Sequence, residues 1–241
     1  MKRWLIFFYG LACYAIALVT LLYAIGFVGN LWVPKSIDSA REAPLGLALL
    51  TDVVLLAAFA IQHSVMARPA FKRWWTRMIP AAAERSTYIL FASIALIVLY
   101  KYWEPIGGVV WSVQSPTGIA TLYGLFALGW GLVFLSSFLI NHFDLFGLRQ
   151  VWLQLRGKPY TPVDFGMPVL YRIVRHPLYV GLLLAFWSTP TMTLTHLVFA
   201  IATTLYILIA IQLEEHDLVT EHPEYAQYKK RVPMLVPFLK L

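Results

Sequence analysis

A chain of 241 residues with 60% hydrophobic side chains, 13% charged side chains and a mean hydropathy of +0.69 is too apolar for an ordinary water-soluble domain. The formal net charge of +7 comes from basic residues grouped beside apolar runs, which argues for orientation in a membrane and against a nucleic-acid partner. Cys13 is the single cysteine and lies within the first run, so an internal disulfide and a CxxC metal or redox motif are both excluded.

At the N-terminus, Lys2-Arg3 precedes an apolar run over about residues 4–28. It is longer than the core of a signal peptide and lacks a small-x-small cleavage site, so it reads as a retained span. Runs over about 44–66, 86–103 and 117–140 follow, each close to the ~20 residues that cross ~30 Å of hydrocarbon. Asp52 falls inside the second run, where an ionisable group is costly and serves either a function or a local buried hydrogen bond. Trp4, Trp32, Trp74, Trp75 and Trp103 sit near span ends and read as interfacial anchors. Gly129-Trp130-Gly131 lies within the fourth run and reads as close helix packing, not as the glycine-rich turn of a soluble nucleotide-binding fold.

The stretch from Asn141 to Arg175 is the longest polar connection, punctuated by Gly157, Pro159, Pro162, Gly166 and Pro168, and is long enough to cover a site. An apolar hairpin comes next, with arms over 178–188 and 193–213 broken at Thr189-Pro190-Thr191. Its first arm is too short to cross a bilayer and is expected to be a short or partly submerged helix. His196, beside the turn, is expected at the outer interface. The whole of 1–241 thus reads as one all-α polytopic membrane bundle: four full spans, a C-terminal helical hairpin, and a tail over 214–241.

Lys and Arg placement sets an orientation. The pair at the N-terminus, the groups Arg68 to Arg85 and Arg149 to Arg175, and the tail residues Lys229, Lys230, Arg231 and Lys240 share one side, while Lys35, Arg41 and Lys101 lie opposite. By the positive-inside bias both termini face the cytoplasm, which in turn requires the hairpin to leave and return on that side.

Four polar clusters end helices on that same side: Gln62-His63-Ser64, Asn141-His142-Phe143-Asp144, Arg175-His176-Pro177-Leu178-Tyr179 and Glu214-Glu215-His216-Asp217-Leu218. Singly, each has a plain reading as a cap or an interfacial anchor. Pro177 suits the first turn of a helix, with His176 at the cap beside free backbone donors able to hold an anion. The paired carboxylates are not needed for packing and suit a cation. No HExxH or comparable spacing appears, and no metal is expected.

The pattern R-H-P-x-Y-x-G over Arg175 to Gly181, then an apolar hairpin, then Glu214-Glu215 with Leu218, and Glu224-Tyr225 to Pro233 in the tail, resembles the integral-membrane methyltransferases related to isoprenylcysteine carboxyl methyltransferase and phospholipid N-methyltransferases. The Asn141 to Gln150 stretch is similar to that of bacterial methanethiol S-methyltransferases within that group. The resemblance implies an S-adenosylmethionine cofactor enclosed by Arg175, His176, Pro177, Tyr179, Gly181, Glu214, Glu215, Tyr225, Tyr228 and Arg231. It also implies a small thiol substrate, methanethiol, with dimethyl sulfide and S-adenosylhomocysteine as products, in the bacterial inner membrane with the site facing the cytoplasm. Methylation of a prenylcysteine carboxylate or a lipid amine is the alternative reaction, and a membrane channel or cofactor-binding protein is the alternative without catalysis. Asn141 and His63 are assigned to the substrate.

Attack by a thiolate on a sulfonium methyl disperses charge, so a dry pocket favours the step while disfavouring formation of the thiolate. A base is therefore required. His142, oriented by Asp144, is the first candidate, with Tyr171 and Arg149 after it.

Overall fold

A computed structural model describes residues 1–40, 43–163 and 166–239. Arg41 and Lys240, both counted in the charge asymmetry, lie outside the described residues. In chain order the elements are α1 (Lys2–Gly29), α2 (Leu45–Ala67), α3 (Pro69–Trp75), α4 (Glu84–Tyr102), β1 (Val109–Ser112), α5 (Pro116–Ile140), α6 (His142–Leu145), α7 (Leu148–Leu155), α8 (Pro177–Trp187), β2 (Thr191–Thr193), α9 (Leu194–Glu221) and α10 (Tyr225–Arg231). Short 3₁₀ turns occupy Ala81–Ala83 and Val169–Arg172.

Among the described residues, five helices are long and apolar enough to cross a membrane: α1, α2, α4 with its preceding turn, α5 and α9. The chain is an integral membrane protein of the all-α polytopic class. The helix α8 is apolar but spans only 11 residues, about 16 Å at 1.5 Å per residue, which is half the hydrocarbon thickness. The short first arm of the hairpin is therefore as expected.

The fold comprises two compact units, one of residues 1–105 with 141–164 and the other of residues 106–140 with 165–241. In the first unit α1 and α2 both pack on α4, and α7 packs on α1. The turn into α7 is fixed by Gly147, whose φ of 85° lies in the left-handed region; a Cβ there would meet the backbone of Ser86 at 2.7 Å. Asp52 is 2% exposed and accepts from the backbone N–H of Glu104 at 2.9 Å, satisfying a donor where the chain leaves α4. Of the two readings of Asp52, the structure gives the buried hydrogen bond.

The second unit is built on the crossing of α5 and α8. Gly129 and Gly181 meet there reciprocally: a Cβ on Gly129 would lie 2.6 Å from the Gly181 carbonyl, and a Cβ on Gly181 would lie 2.5 Å from the Gly129 carbonyl. Gly129 packs as expected. Gly181, assigned to the cofactor from the motif, is placed in this helix crossing.

Beside the hairpin turn, two features depart from the sequence reading. The hairpin break is no bare turn, because β2 pairs antiparallel with β1 in a ribbon that absorbs backbone groups at the end of the span. His196 is 1% exposed, with its Nε2–H donating to the Phe186 carbonyl at 2.8 Å. It satisfies a carbonyl near the end of α8 and does not face an outer interface.

Candidate active site

In the second unit, Pro177 occupies the first position of α8, and His176 is its N-cap, as the sequence implies. The helix α9, however, does not stop at the paired carboxylates. It continues to Glu221, so Glu214 and Glu215 are successive residues about 100° apart around one helix and project to different surroundings.

Glu215 is 1% exposed and is surrounded by donors. Arg175 Nε donates to its Oε1 at 2.6 Å, His176 Nε2 lies 2.9 Å from the same oxygen, and the Tyr225 hydroxyl donates to it at 3.3 Å. The Lys229 ammonium is 2.8 Å from Oε2. Arg175 is itself almost fully enclosed, its Nη1 donating to the carbonyls of Lys229 and Val232 at 3.0 and 2.6 Å. The backbone N–H groups of Arg175 and His176 donate to the carbonyls of Pro233 and Met234. This constellation ties α8, α9 and the tail into one piece. Buried charges need such complete pairing, so Arg175 and Glu215 are committed to each other and to the tail.

Glu214 differs. Its side chain is 44% exposed, the Tyr179 hydroxyl donates to Oε2 at 3.1 Å, and His176 Nδ1 is 4.0 Å away. It is a carboxylate held in place yet open on one side. Tyr228 donates to the Tyr171 carbonyl at 2.5 Å, and its phenol is pushed up to about 12 mainly by burial, against the Arg175 charge. Tyr171 is also raised, by burial first and then by the Glu214 charge. Both phenols therefore remain protonated donors near neutral pH. Arg231 is exposed at the end of α10.

The donor set suits S-adenosylmethionine in kind. An open carboxylate stands for the cationic pole, the backbone N–H groups at the start of α8 offer donors for the anionic pole, and the rings of Tyr179 and His176, 5.6 Å apart, supply an aromatic wall.

In the first unit, Asn141 adopts a left-handed conformation with φ 98° and caps α6, its side chain accepting from the Asp144 N–H at 3.1 Å. His142 is 3% exposed, packs on Phe146 with ring centroids 4.6 Å apart, and has its Nε2 3.0 Å from the Tyr14 hydroxyl. Burial lowers its pKa, so the neutral imidazole is favoured. Asp144 does not orient it. The Asp144 carboxylate instead accepts from Arg149 Nη1 at 2.9 Å and from the Tyr160 hydroxyl at 3.2 Å. Arg149 also donates to the carbonyl and hydroxyl of Thr161, so this pair organises the connection after α7. His63 stacks on Phe59 and lies within hydrogen-bond reach of the Tyr88 hydroxyl, 2.9 Å from Nε2.

Sequence reasoning missed Tyr14 and Lys229. Tyr14 lies within an apolar run and carries no local signal of its role. Lys229 follows Tyr225 by four residues, a helical spacing that puts both on one face and offered a usable clue.

No family model matches the chain, and no solved structure matches it. Among curated proteins, the methanethiol S-methyltransferase of Crocosphaera subtropica is 56% identical over 240 residues, covering 99% of this chain and 94% of that protein. The methanethiol S-methyltransferase of Mycobacterium tuberculosis is 53% identical over 239 residues, covering 99% and 98%. Nurim of Bos taurus is 33% identical over 196 residues, covering 78% and 72%. With identity sustained across nearly the full length of both bacterial proteins, the chain belongs to the methanethiol S-methyltransferase family.

Proposed function

We propose that the protein transfers a methyl group from S-adenosylmethionine to methanethiol, forming dimethyl sulfide, at the cytoplasmic face of a bacterial inner membrane. The observation that carries this reading is the near-full-length identity of 50–56% to proteins named for that reaction. When bound, the cofactor supplies the electrophilic methyl group. Glu214, held by Tyr179, would meet its positive pole, and the start of α8 with Arg231 would meet its carboxylate. Glu215 and Arg175 act one step removed, by fixing the His176 ring and docking the tail whose Tyr225 and Tyr228 wall the site.

His142 is the candidate that takes the thiol proton. Its burial keeps the imidazole neutral and able to accept, and Tyr14 fixes the ring. Asn141 and His63 remain assigned to the thiol, with capping and the Tyr88 contact as their structural roles.

Purified protein supplied with methyl-labelled S-adenosylmethionine and methanethiol should release labelled dimethyl sulfide, with prenylcysteine and lipid amines neither labelled nor inhibitory. Label appearing in either competitor instead would overturn the substrate assignment. Reporter fusions test the sidedness: a C-terminal fusion active only outside the inner membrane would reverse it.

A further inference from the structure

The opposite end of the first unit carries a feature that methyl transfer leaves unused. Between α1 and α4 runs an apolar groove of about 700 Å³, lined by Ile16, Val19 and Ile97 along the helices and by Tyr23, Lys35 and Lys101 toward one end. Ile16, Val19 and Ile97 are 39%, 66% and 44% exposed, so the groove opens outward from two membrane-spanning helices. From Ala15 to Tyr23 the wall extends roughly 12 Å along α1 at 1.5 Å per residue, comparable to a stretch of acyl chain.

The mouth of this groove is cationic and rigidly built. Tyr23 and Tyr100 stack with ring centroids 5.1 Å apart, and the Tyr23 hydroxyl donates to the Lys35 carbonyl at 2.9 Å. Lys35 Nζ donates to the Lys101 carbonyl at 3.1 Å, holding its ammonium over the end of α4. Lys101 extends over the Tyr102 ring at 5.2 Å. The placement is notable because the sequence puts only Lys35, Arg41 and Lys101 on this side, against a strong excess of basic residues on the other. Two of those three cations border one apolar groove. Among the described residues no carboxylate lines the groove; Asp52, within electrostatic reach of Lys35, accepts from the Glu104 N–H.

We propose that this groove is a binding site for an anionic phospholipid of the leaflet on the Lys35 side, with one acyl chain along Ile16, Val19 and Ile97 and the phosphate between the two lysines. The charge of the mouth selects the headgroup, and the length of apolar wall selects a lipid over a soluble phosphate.

Native mass spectrometry of the detergent-purified full chain tests the assignment with three probes: dioleoyl phosphatidylglycerol, dioleoyl phosphatidylcholine and inorganic phosphate. Each lysine near a lipid surface is worth roughly fivefold in attraction to an anionic headgroup. Phosphatidylglycerol should therefore bind with a stoichiometry of one at the lowest concentrations, and phosphate should not compete. The pair Lys35→Gln and Lys101→Gln should cut phosphatidylglycerol binding by about tenfold or more while leaving phosphatidylcholine binding unchanged. Ala15→Phe, filling the groove from α1, should weaken both lipids, with circular dichroism confirming that each variant is folded. Equal binding of the two lipids, unchanged phosphatidylglycerol binding in the lysine pair, or crosslinking of the groove residues to a second copy of the chain would each overturn the proposal.

Discussion

Glu215 in the second unit and Asp144 in the first are both carboxylates joined to an arginine and a tyrosine, yet their surroundings differ sharply. The Glu215 side chain is 1% exposed and its arginine 4%, with His176, Tyr225 and Lys229 completing the shell. The Asp144 side chain is 19% exposed and its arginine 27%, and that arginine also donates to Thr161 and lies over the Tyr160 ring. The same pairing thus makes a sealed structural centre in one unit and a partly hydrated clasp in the other. Desolvation decides the difference: an enclosed charge must be fully compensated, whereas a hydrated one can exchange partners at little cost.

The largest effect should follow from opening the sealed centre. Glu215→Ala leaves Arg175 buried without its counter-ion, and a broken buried pair costs about 3–5 kcal/mol. Denaturant unfolding in detergent should show that loss, and limited proteolysis should show release of the tail beyond Glu221. Stability within about 1 kcal/mol of the unmodified protein would remove the distinction between the two centres.

His142→Ala comes next. Loss of a general base typically costs 10²-fold or more in turnover, with partial recovery at high pH where thiolate forms unaided. Cofactor affinity should hardly change. Because burial lowers the His142 pKa, the imidazole is neutral above that depressed value, and the acid limb of turnover should fall below the ordinary histidine value of about 6.5. The same shift has a stability sign. Unfolded histidine takes up a proton at the higher pKa, so the contribution of His142 to stability is present above about 6.5 and is lost as pH falls through the lower folded value. An acid limb well above 6.5 would show that another group controls the rate.

The smallest effect is expected at the open clasp. Asp144→Asn should cost less than about 1 kcal/mol, and added salt should reduce even that difference. A loss as large as that for Glu215→Ala would mean that exposure does not separate the two centres.

Much of this was legible in the chain because membrane spans are long signals. Four spans, the short first arm and the longer second arm all follow from apolar run length and Pro placement. The end of α9 was not legible: hydropathy falls at Glu214, but the helix continues because Glu215 finds its counter-charges on the tail and at the start of α8. The ribbon escaped notice because strands of four and three residues carry no periodic pattern. Within the candidate site, the residue types were readable from the motif, but their division of labour was not. Gly181 belongs to a helix crossing and Arg175 to a tail contact, and both assignments depend on neighbours distant in sequence. The Tyr14 contact to His142 spans 128 positions, beyond any local spacing rule.

The most direct test of the account compares the two adjacent carboxylates by titrating S-adenosylmethionine into Glu214→Gln and Glu215→Gln while following unfolding of each. Glu214 is open and oriented by Tyr179, so its neutralisation should lower cofactor affinity about 10- to 100-fold, the range for a lost hydrogen bond to a charged group, with stability unchanged. Neutralising Glu215 should instead destabilise the fold, with any loss of binding following from that. Unaltered affinity in folded Glu214→Gln, or a fully stable Glu215→Gln with selectively weakened binding, would contradict this division between an open ligand-facing carboxylate and a sealed structural one.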